Sequence, residues 1–453
     1  MDFLRGQKME EDPLEAQGRE KANFARVETM LFEKLTKAGV SSISSTAALK
    51  LPGAAIEGLF GWLGIKNPLI RNARADRNEV WILDNTAFKT SNSAAWEAEF
   101  VTAFFQHGRG DLTMAAAAIV DAVGLDGNPG ADKDKKAIIE ERLKPFIDAI
   151  APARTLPVVI QPQGGETTRQ ILGPSNTNGI SSQILEVADS SQQDGATIRV
   201  ESDTGVRHLP KATGATRLVS PEGWAVISDI DDTIKITQTP DPVGILRTTF
   251  TEPAQFTSHM PAFYKILDEQ LQKPAWFYLS ASPYNLYPFL HQFISDYFPP
   301  GTIILRDASW QTLGGLLSSL TQGVKEYKSS RIDKIHGWLP DRKVICVGDS
   351  TQMDPETYAA TYRKHPGWIK AIYIRKVLDA PFMEEKNQPE RFEKAFEGIP
   401  QQVWKVFVLP DELKDHVATV VGEQHQGVLS TLSSFFCGEQ REHQQLEQDK
   451  VKH

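Results

Sequence analysis

An α/β fold class follows from three features of this chain. Apolar runs without alternation recur after Glu222, helical stretches separate them, and the first run ends abruptly in acidic residues. Strands buried on both faces are what a parallel sheet needs. Their alternation with helices predicts a doubly wound sheet whose site lies at the carboxyl ends of the strands.

Five runs supply the strands: Ala225-Val226-Ile227, Ala275-Trp276-Phe277-Tyr278-Leu279, Thr302-Ile303-Ile304-Leu305, Val344-Ile345-Cys346-Val347 and Ala371-Ile372-Tyr373-Ile374. Helices are expected over Phe263 to Gln272, Leu286 to Tyr297, Lys325 to Trp338 and Asp354 to Lys364. Upstream the texture differs. Short β-prone pieces run from Leu156 to Ser220 with Gly, Asn, Asp and Ser between them, which predicts a small antiparallel, sandwich-like module. Val80-Trp81-Ile82-Leu83 reads as a strand that can join it, and Trp96 to Phe105 and Lys135 to Ile150 read as helices.

Residues before Ala75 read as a helical arm, in which Ile56, Leu59, Phe60 and Leu63 share one face. That face suits docking on the protein's own core or on a membrane surface. The expected divisions are a helical, partly disordered arm (1–75), a β-rich module with helical insertions (76–220), an α/β domain (221–410) and a helical or disordered tail (411–453), whose last residues, Cys437 to His453, are Gln-, Glu-, Lys- and His-rich.

At 453 residues the chain is too long for one ordinary core. Its net charge of −9 argues against nonspecific nucleic-acid binding. Cys346 and Cys437 fit no metal-ligand spacing, and a reducing compartment suits them. The N-terminus lacks the apolar stretch of a secretory signal. Pro52, Glu57 and Lys66 interrupt Leu51 to Ile70, so no segment reads as a membrane span.

Four polar stops follow four of the strands. The run Ile227-Ser228-Asp229-Ile230-Asp231-Asp232-Thr233 puts two carboxylates two residues apart at a buried strand end, where unpaired charge is expensive. Ser280 follows the second strand, Lys328 lies in the helix before the next, and Gly348-Asp349 closes the fourth, with Asp354 five residues on. The residue types fit phosphoryl transfer. Asp229 can attack phosphorus to give an aspartyl-phosphate, and Asp231 can protonate the leaving alkoxide and then activate water. Thr233 completes this Asp-x-Asp-x-Thr pattern. Mg²⁺ would supply the counter-charge, held by Asp229, Asp349 and Asp354, with Asp231 among the acidic candidates. Ser280 would hydrogen-bond a phosphoryl oxygen, and Lys328 would neutralise the nucleophile and the transferring group. Asp354 can equally cap the helix that follows it.

In order and type these motifs resemble the haloacid dehalogenase-like phosphohydrolases, whose catalytic domain is a Rossmannoid parallel sheet. The stretches Trp224 to Lys235, Phe277 to Tyr287, Lys328-x-x-x-Ile332 and Gly348 to Tyr358 are similar to the catalytic domain of the fungal actin-patch phosphatidate phosphatase family, a likeness that runs from about Trp224 to Val377. Val80 to Ala87 and Trp96 to Phe100 resemble the N-terminal part of fungal members less specifically. The resemblance implies a cytoplasmic, Mg²⁺-dependent enzyme, peripheral to membranes or cortical actin patches. It would convert phosphatidate, and related lipid phosphates, to diacylglycerol and phosphate, with actin-patch or endocytic proteins as partners. Thr351 stands where many relatives carry Gly.

No inserted cap is visible between Ser280 and Lys328, which predicts an open site suited to a membrane-embedded substrate. The loop Lys235 to Pro261 offers Lys235 and Arg247 for an anionic head group, with Leu246, Phe250 and Phe256 for acyl chains. An ordinary surface loop fits those residues equally. Two other functions stay open: phosphatase action on a different phosphoester, and an adaptor at the cortical membrane with secondary catalysis.

Overall fold

The computed structural model describes residues 12–37, 70–89, 95–107, 112–124, 132–162, 165–188, 193–307 and 313–422. Ile56, Leu59, Phe60 and Leu63, and the stretch Cys437 to His453, lie outside the described residues.

Ten strands fill the amino-terminal half: β1 (Arg71–Asn72), β2 (Asn78–Ile82), β3 (Asn85–Phe88), β4 (Trp96–Gln106), β5 (Ala149–Ile150), β6 (Arg154–Gln161), β7 (Thr168–Leu172), β8 (Ile180–Ala188), β9 (Thr197–Ser202) and β10 (Thr213–Leu218). They join in the order β1-β6-β9-β10-β3-β4-β2, with β5 and β8 also on β4 and β7 on β6. The pairings are antiparallel except β1 with β6 and β10 with β3. Alternation does the sorting: Ile198 and Val200 of β9 are buried while Thr197 and Arg199 face solvent. The inward set from these strands, including Val80, Phe100, Val158 and Leu218, makes one core.

The helix expected over Trp96 to Phe105 is instead β4, the best-connected strand of the sheet. Trp96, Ala98 and Phe100 are buried and Glu97, Glu99 and Val101 are not. That period of two was present in the sequence and outweighs the helix propensity of Ala and Glu. The second expected helix is real and slightly earlier, at Asp132–Ile147, and a further helix spans Leu112–Ala122.

Six strands form the second sheet: β11 (Trp224–Asp229), β12 (Ala275–Pro283), β13 (Thr302–Arg306), β14 (Lys343–Asp349), β15 (Ile369–Arg375) and β16 (Trp404–Phe407). All pair in parallel, in the order β13-β12-β11-β14-β15-β16. The five apolar runs read from the sequence are β11 to β15; β16 is added at the edge, where Trp404-Lys405-Val406-Phe407 is only partly buried. Val226, Tyr278 and Val347 point to one covered face and Ile227, Phe277 and Cys346 to the other. Each fully buried side chain of this kind stabilises by about 1.5–3 kcal/mol. The chain goes outward from β11 through β12 to β13 and then returns to β14 on the other side of β11. The crevice at this reversal lies beyond the carboxyl ends of β11 and β14.

The open site expected from the missing cap is not what the structure shows, because other parts of the chain cover the crevice. Helices Phe24–Lys37, Leu112–Ala122 and Asp132–Ile147 belong to the same hydrophobic cluster as the loop after β11. Phe24, Leu31, Ile119 and Phe146 pack there with Ile245, Leu246, Phe250, Leu317 and Leu320. Helix Pro13–Lys21 places its buried Glu15 close enough to Arg306 and Lys386 for its charge to register on both. No helix among the described residues is long and apolar enough to cross a membrane.

The two sheets meet through Asp84, just before β3. Its backbone N–H donates to Tyr287 Oη at 2.9 Å, its Oδ1 accepts from Ala215 N at 2.8 Å, and its Oδ2 lies 2.9 Å from His291 Nε2. Nearby Thr86 and Thr302 hydroxyls are 2.7 Å apart, and Phe88 stacks on Trp338. The hydrogen bond to Asp84 raises the His291 pKa against the opposing effect of burial. Because the folded-state pKa is raised, this contact stabilises fully below about pH 6.5 and is lost as pH rises through the folded value. The melting temperature of His291→Gln should therefore fall below wild type at about pH 6 and approach it by about pH 8.5. A gap that stays constant or widens with pH would refute this role.

Candidate active site

The turn after β11 is dictated by its own polar groups. Ile230 O accepts from both Ile234 N and Lys235 N at 3.0 Å, and Asp232 N donates to Lys235 O at 2.7 Å. This tight reversal puts Asp232 in the left-handed region, φ 60°, a costly conformation for a non-glycine residue. Its carboxylate provides the compensation. Oδ1 accepts from Thr237 N (2.9 Å) and Gln238 N (2.7 Å), and Oδ2 accepts from Thr239 N and Oγ1, both at 2.7 Å. Asp232 thus builds the loop that presents its neighbours. Its signal in the sequence was the third acid of the run.

Asp229 ends β11 and Asp349 ends the adjacent β14. Asp354, Lys328 and Thr233 converge on them, all essentially without solvent exposure. Lys328 Nζ lies 2.6 Å from Asp229 Oδ1 and 2.5 Å from Asp354 Oδ1, and donates to Gln352 Oε1 at 3.2 Å. Thr233 Oγ1 is 3.0 Å from Asp229 Oδ2 and 2.9 Å from Asp349 Oδ2, so its one proton serves either carboxylate. Asp354 opens its helix without capping it; its Oδ2 accepts from Asp349 N at 3.2 Å. Gly348 makes room for this contact, since a Cβ there would sit 2.4 Å from Asp354 Oδ2 and 2.7 Å from the Tyr358 ring. Thr351 N donates to Asp349 Oδ1 at 2.5 Å. Its β-branched side chain is accommodated because its backbone avoids positive φ, and its hydroxyl lies 2.9 Å from that of Thr239.

Asp231 stands apart from this cluster. Its Oδ2 accepts from Ser280 Oγ at 2.5 Å and its Oδ1 from Thr237 Oγ1 at 2.8 Å; Thr237 in turn accepts from Lys235 Nζ at 2.8 Å. Ser280 also accepts from Ser282 N at 2.9 Å. Its proton is therefore directed at Asp231, and Ser280 itself lies inside β12, which runs past the apolar stretch read from the sequence.

One oxygen each from Asp229, Asp349 and Asp354 lies within 4.8 Å of the others, an arrangement able to hold a metal ion. Asp231, counted among the acidic candidates, is not in this group. Burial is the main force on the pKa values. It raises Asp229, opposed by Lys328 and reinforced by Asp354, Asp349 and Asp231. It raises Asp349, with Asp354 adding to it. Burial alone would lower the Lys328 pKa, yet Asp229, Asp354 and Asp349 raise it overall.

Of the two proposed substrate cations, Lys235 reaches the site and is fully buried. Arg247 does not; its guanidinium is engaged by Gln238 Oε1 at 2.6 Å and Glu252 at 3.3 Å. Gln352, Thr237 and Asp232 were not assigned roles from the sequence, because each acts by orienting another residue and no spacing marks that. A second group, Glu79, His107 and Asp148, also brings ligand atoms within 4.8 Å, on a partly exposed surface away from these strands.

With this geometry in place, comparison with known proteins is informative. The family model described as the catalytic domain of phosphatidate phosphatase APP1 matches residues 224–376, from the start of β11 to just beyond β15. Phosphatidate phosphatase APP1 of Saccharomyces cerevisiae is 28% identical over 332 residues, which is 69% of this chain and 55% of that protein. An uncharacterized protein of Schizosaccharomyces pombe is 29% identical over 161 residues, 34% of this chain and 26% of that protein. The chain thus spans little more than half the length of the first relative. Residues 224–376, which carry Asp229, Ser280, Lys328, Asp349 and Asp354, are thus the part of the chain that is similar to the catalytic domain of phosphatidate phosphatase APP1.

Proposed function

We propose that this chain is a Mg²⁺-dependent phosphatidate phosphatase with a haloacid dehalogenase-like catalytic domain, working through an aspartyl-phosphate. The observation that carries the reading is the burial of Asp229, Asp349 and Asp354 around one ammonium, Lys328. Three carboxylates and one cation leave a formal excess of negative charge in a buried crevice, which a cation relieves. Oxygen donors alone suit a hard ion such as Mg²⁺. When bound between Asp229, Asp349 and Asp354, Mg²⁺ would neutralise the phosphate that must approach these carboxylates.

The residues divide the chemistry. A carboxylate oxygen of Asp229 attacks phosphorus as the bond from phosphorus to the glycerol oxygen breaks. Asp231, held by Ser280 and Thr237, gives its proton to the departing oxygen. It then takes a proton from the water that attacks the aspartyl-phosphate, so phosphate leaves and Asp229 is regenerated. Lys328 keeps Asp229 ionised and aimed, and Thr233 links it to Asp349. The name of the yeast relative favours phosphatidate as substrate. The resemblance to fungal members further suggests partners at cortical actin patches and a location peripheral to membranes. The covered site favours a second reading, a smaller water-soluble phosphoester, and a substrate panel with and without detergent separates the two.

Phosphate release from phosphatidate in mixed micelles should require Mg²⁺, cease with chelator and return when Mg²⁺ is restored. Asp229→Asn should abolish it, and Asp231→Asn should lower kcat by about 10²- to 10⁴-fold. Turnover surviving in Asp229→Asn would overturn the mechanism. Lys328→Met leaves the buried carboxylates uncompensated, so without added metal it should lose about 3–5 kcal/mol in denaturant unfolding. A loss under about 1 kcal/mol would mean that the carboxylates are not charged in the folded protein.

A further inference from the structure

Helix Asp132–Ile147 carries Arg142 from the amino-terminal half onto the loop that follows the Asp229 turn. Arg142 Nη1 donates to Thr249 O and Glu252 O, both at 2.7 Å. Its guanidinium carbon lies 4.2 Å from the Phe289 ring centroid, and Lys235 Nζ lies 5.5 Å from the same centroid. Two cations from different halves of the chain therefore share one aromatic ring, and one of them is linked through Thr237 to Asp231.

The charge of Arg142 is poorly compensated. Arg142 makes no ion pair among the described residues, and its Nε and Nη2 have no hydrogen-bond partner there. The acid whose charge registers on it, Glu141, is exposed. Burial pushes the Arg142 pKa down to about 10, so it remains a cation at neutral pH. Burial lowers Lys235 as well; Asp231 and Asp232 oppose this, and the neighbouring Arg142 adds to it. A clamp on the loop would need only the Nη1 contacts. A partly desolvated fork with free donors, set beside a second cation at the proton donor, is suited to an oxyanion.

We propose that Arg142 is a substrate-binding residue supplied by the amino-terminal half, which with Lys235 forms a two-cation seat for the substrate phosphate on the Asp231 side. This rests on the phosphatase reading above. It transfers to Arg142 the head-group role that the sequence suggested for Arg247.

The test compares the full chain with Arg142→Ala and Arg142→Lys, using phosphatidate in mixed micelles at saturating Mg²⁺, inhibition by inorganic phosphate, and thermal melting. Arg142→Ala should raise KM for phosphatidate, and weaken phosphate inhibition, by about ten- to hundred-fold. Its kcat should change by less than about three-fold. Arg142→Lys keeps the charge and should recover most of the KM. The proposal is overturned if Arg142→Ala moves KM by less than about two-fold, or if phosphate inhibition is unchanged. It is also overturned if both variants lose activity in parallel with melting temperature, the signature of a loop clamp. If wild type releases no phosphate from phosphatidate yet binds inorganic phosphate in an Arg142-dependent manner, the lipid assignment fails and the seat stands.

Discussion

The rest of this structure depends on carboxylates gathered at the ends of two neighbouring parallel strands and held there by Lys328. Asp229 and Asp354 each lie within 2.6 Å of its ammonium, and Asp349 is reached through Thr233. Removing such groups from water costs several kcal/mol apiece unless opposite charge and donors are already in place. That requirement explains much of the surrounding sequence. Gln352 also holds the lysine, bonding Leu320 O with its other end. Arg391 ties the Asp349 loop by bonding Ser350 O and Gln352 O. Arg375 reaches across to Asp232 O.

A parallel sheet is the framework that makes this arrangement possible. Its strands are apolar throughout, so they can be buried on both faces, and polar chemistry is confined to their ends. Adjacent strands β11 and β14 deliver Asp229 and Asp349 side by side because the chain reverses its direction of progress between them. Thr237, held by Asp232, then gives the second acid a hydroxyl partner of its own. Two carboxylates two residues apart consequently face different partners, one an ammonium and the other a pair of hydroxyls.

Much of this was legible in the sequence, and the reasons are physical. β11 to β15 announced themselves as unbroken apolar runs, and helix Asp354–Lys364 by a proline in its first turn. Asp229, Asp349 and Asp354 could be named because they end a strand or open a helix, and Lys328, inside its helix, by its spacing from Ile332. What failed to show depends on contacts between distant parts of the chain. β4 alternates correctly for a strand, yet its Ala and Glu content favoured a helix until pairing with β2, β3, β5 and β8 decided the matter. The closure of the crevice could not be seen because its cover comes from helices Phe24–Lys37, Leu112–Ala122 and Asp132–Ile147 rather than from an insertion next to the motifs. Arg142 and Arg247 illustrate the same limit. Both lie near the loop, and only the fold shows which one is already paired with a carboxylate.

The strut at Asp84 has a consequence for how such a protein can diversify. It fixes the amino-terminal sheet against Tyr287 and His291, on the same helix that carries Phe289. Helix Asp132–Ile147 is held in register with that ring, and Asn285 donates to Pro145 O at 2.8 Å. Changes along that helix thus reach the mouth of the crevice while leaving every carboxylate untouched. Inheritance can retune one surface while the other stays under strict constraint, a division of labour drawn between two halves of a single chain.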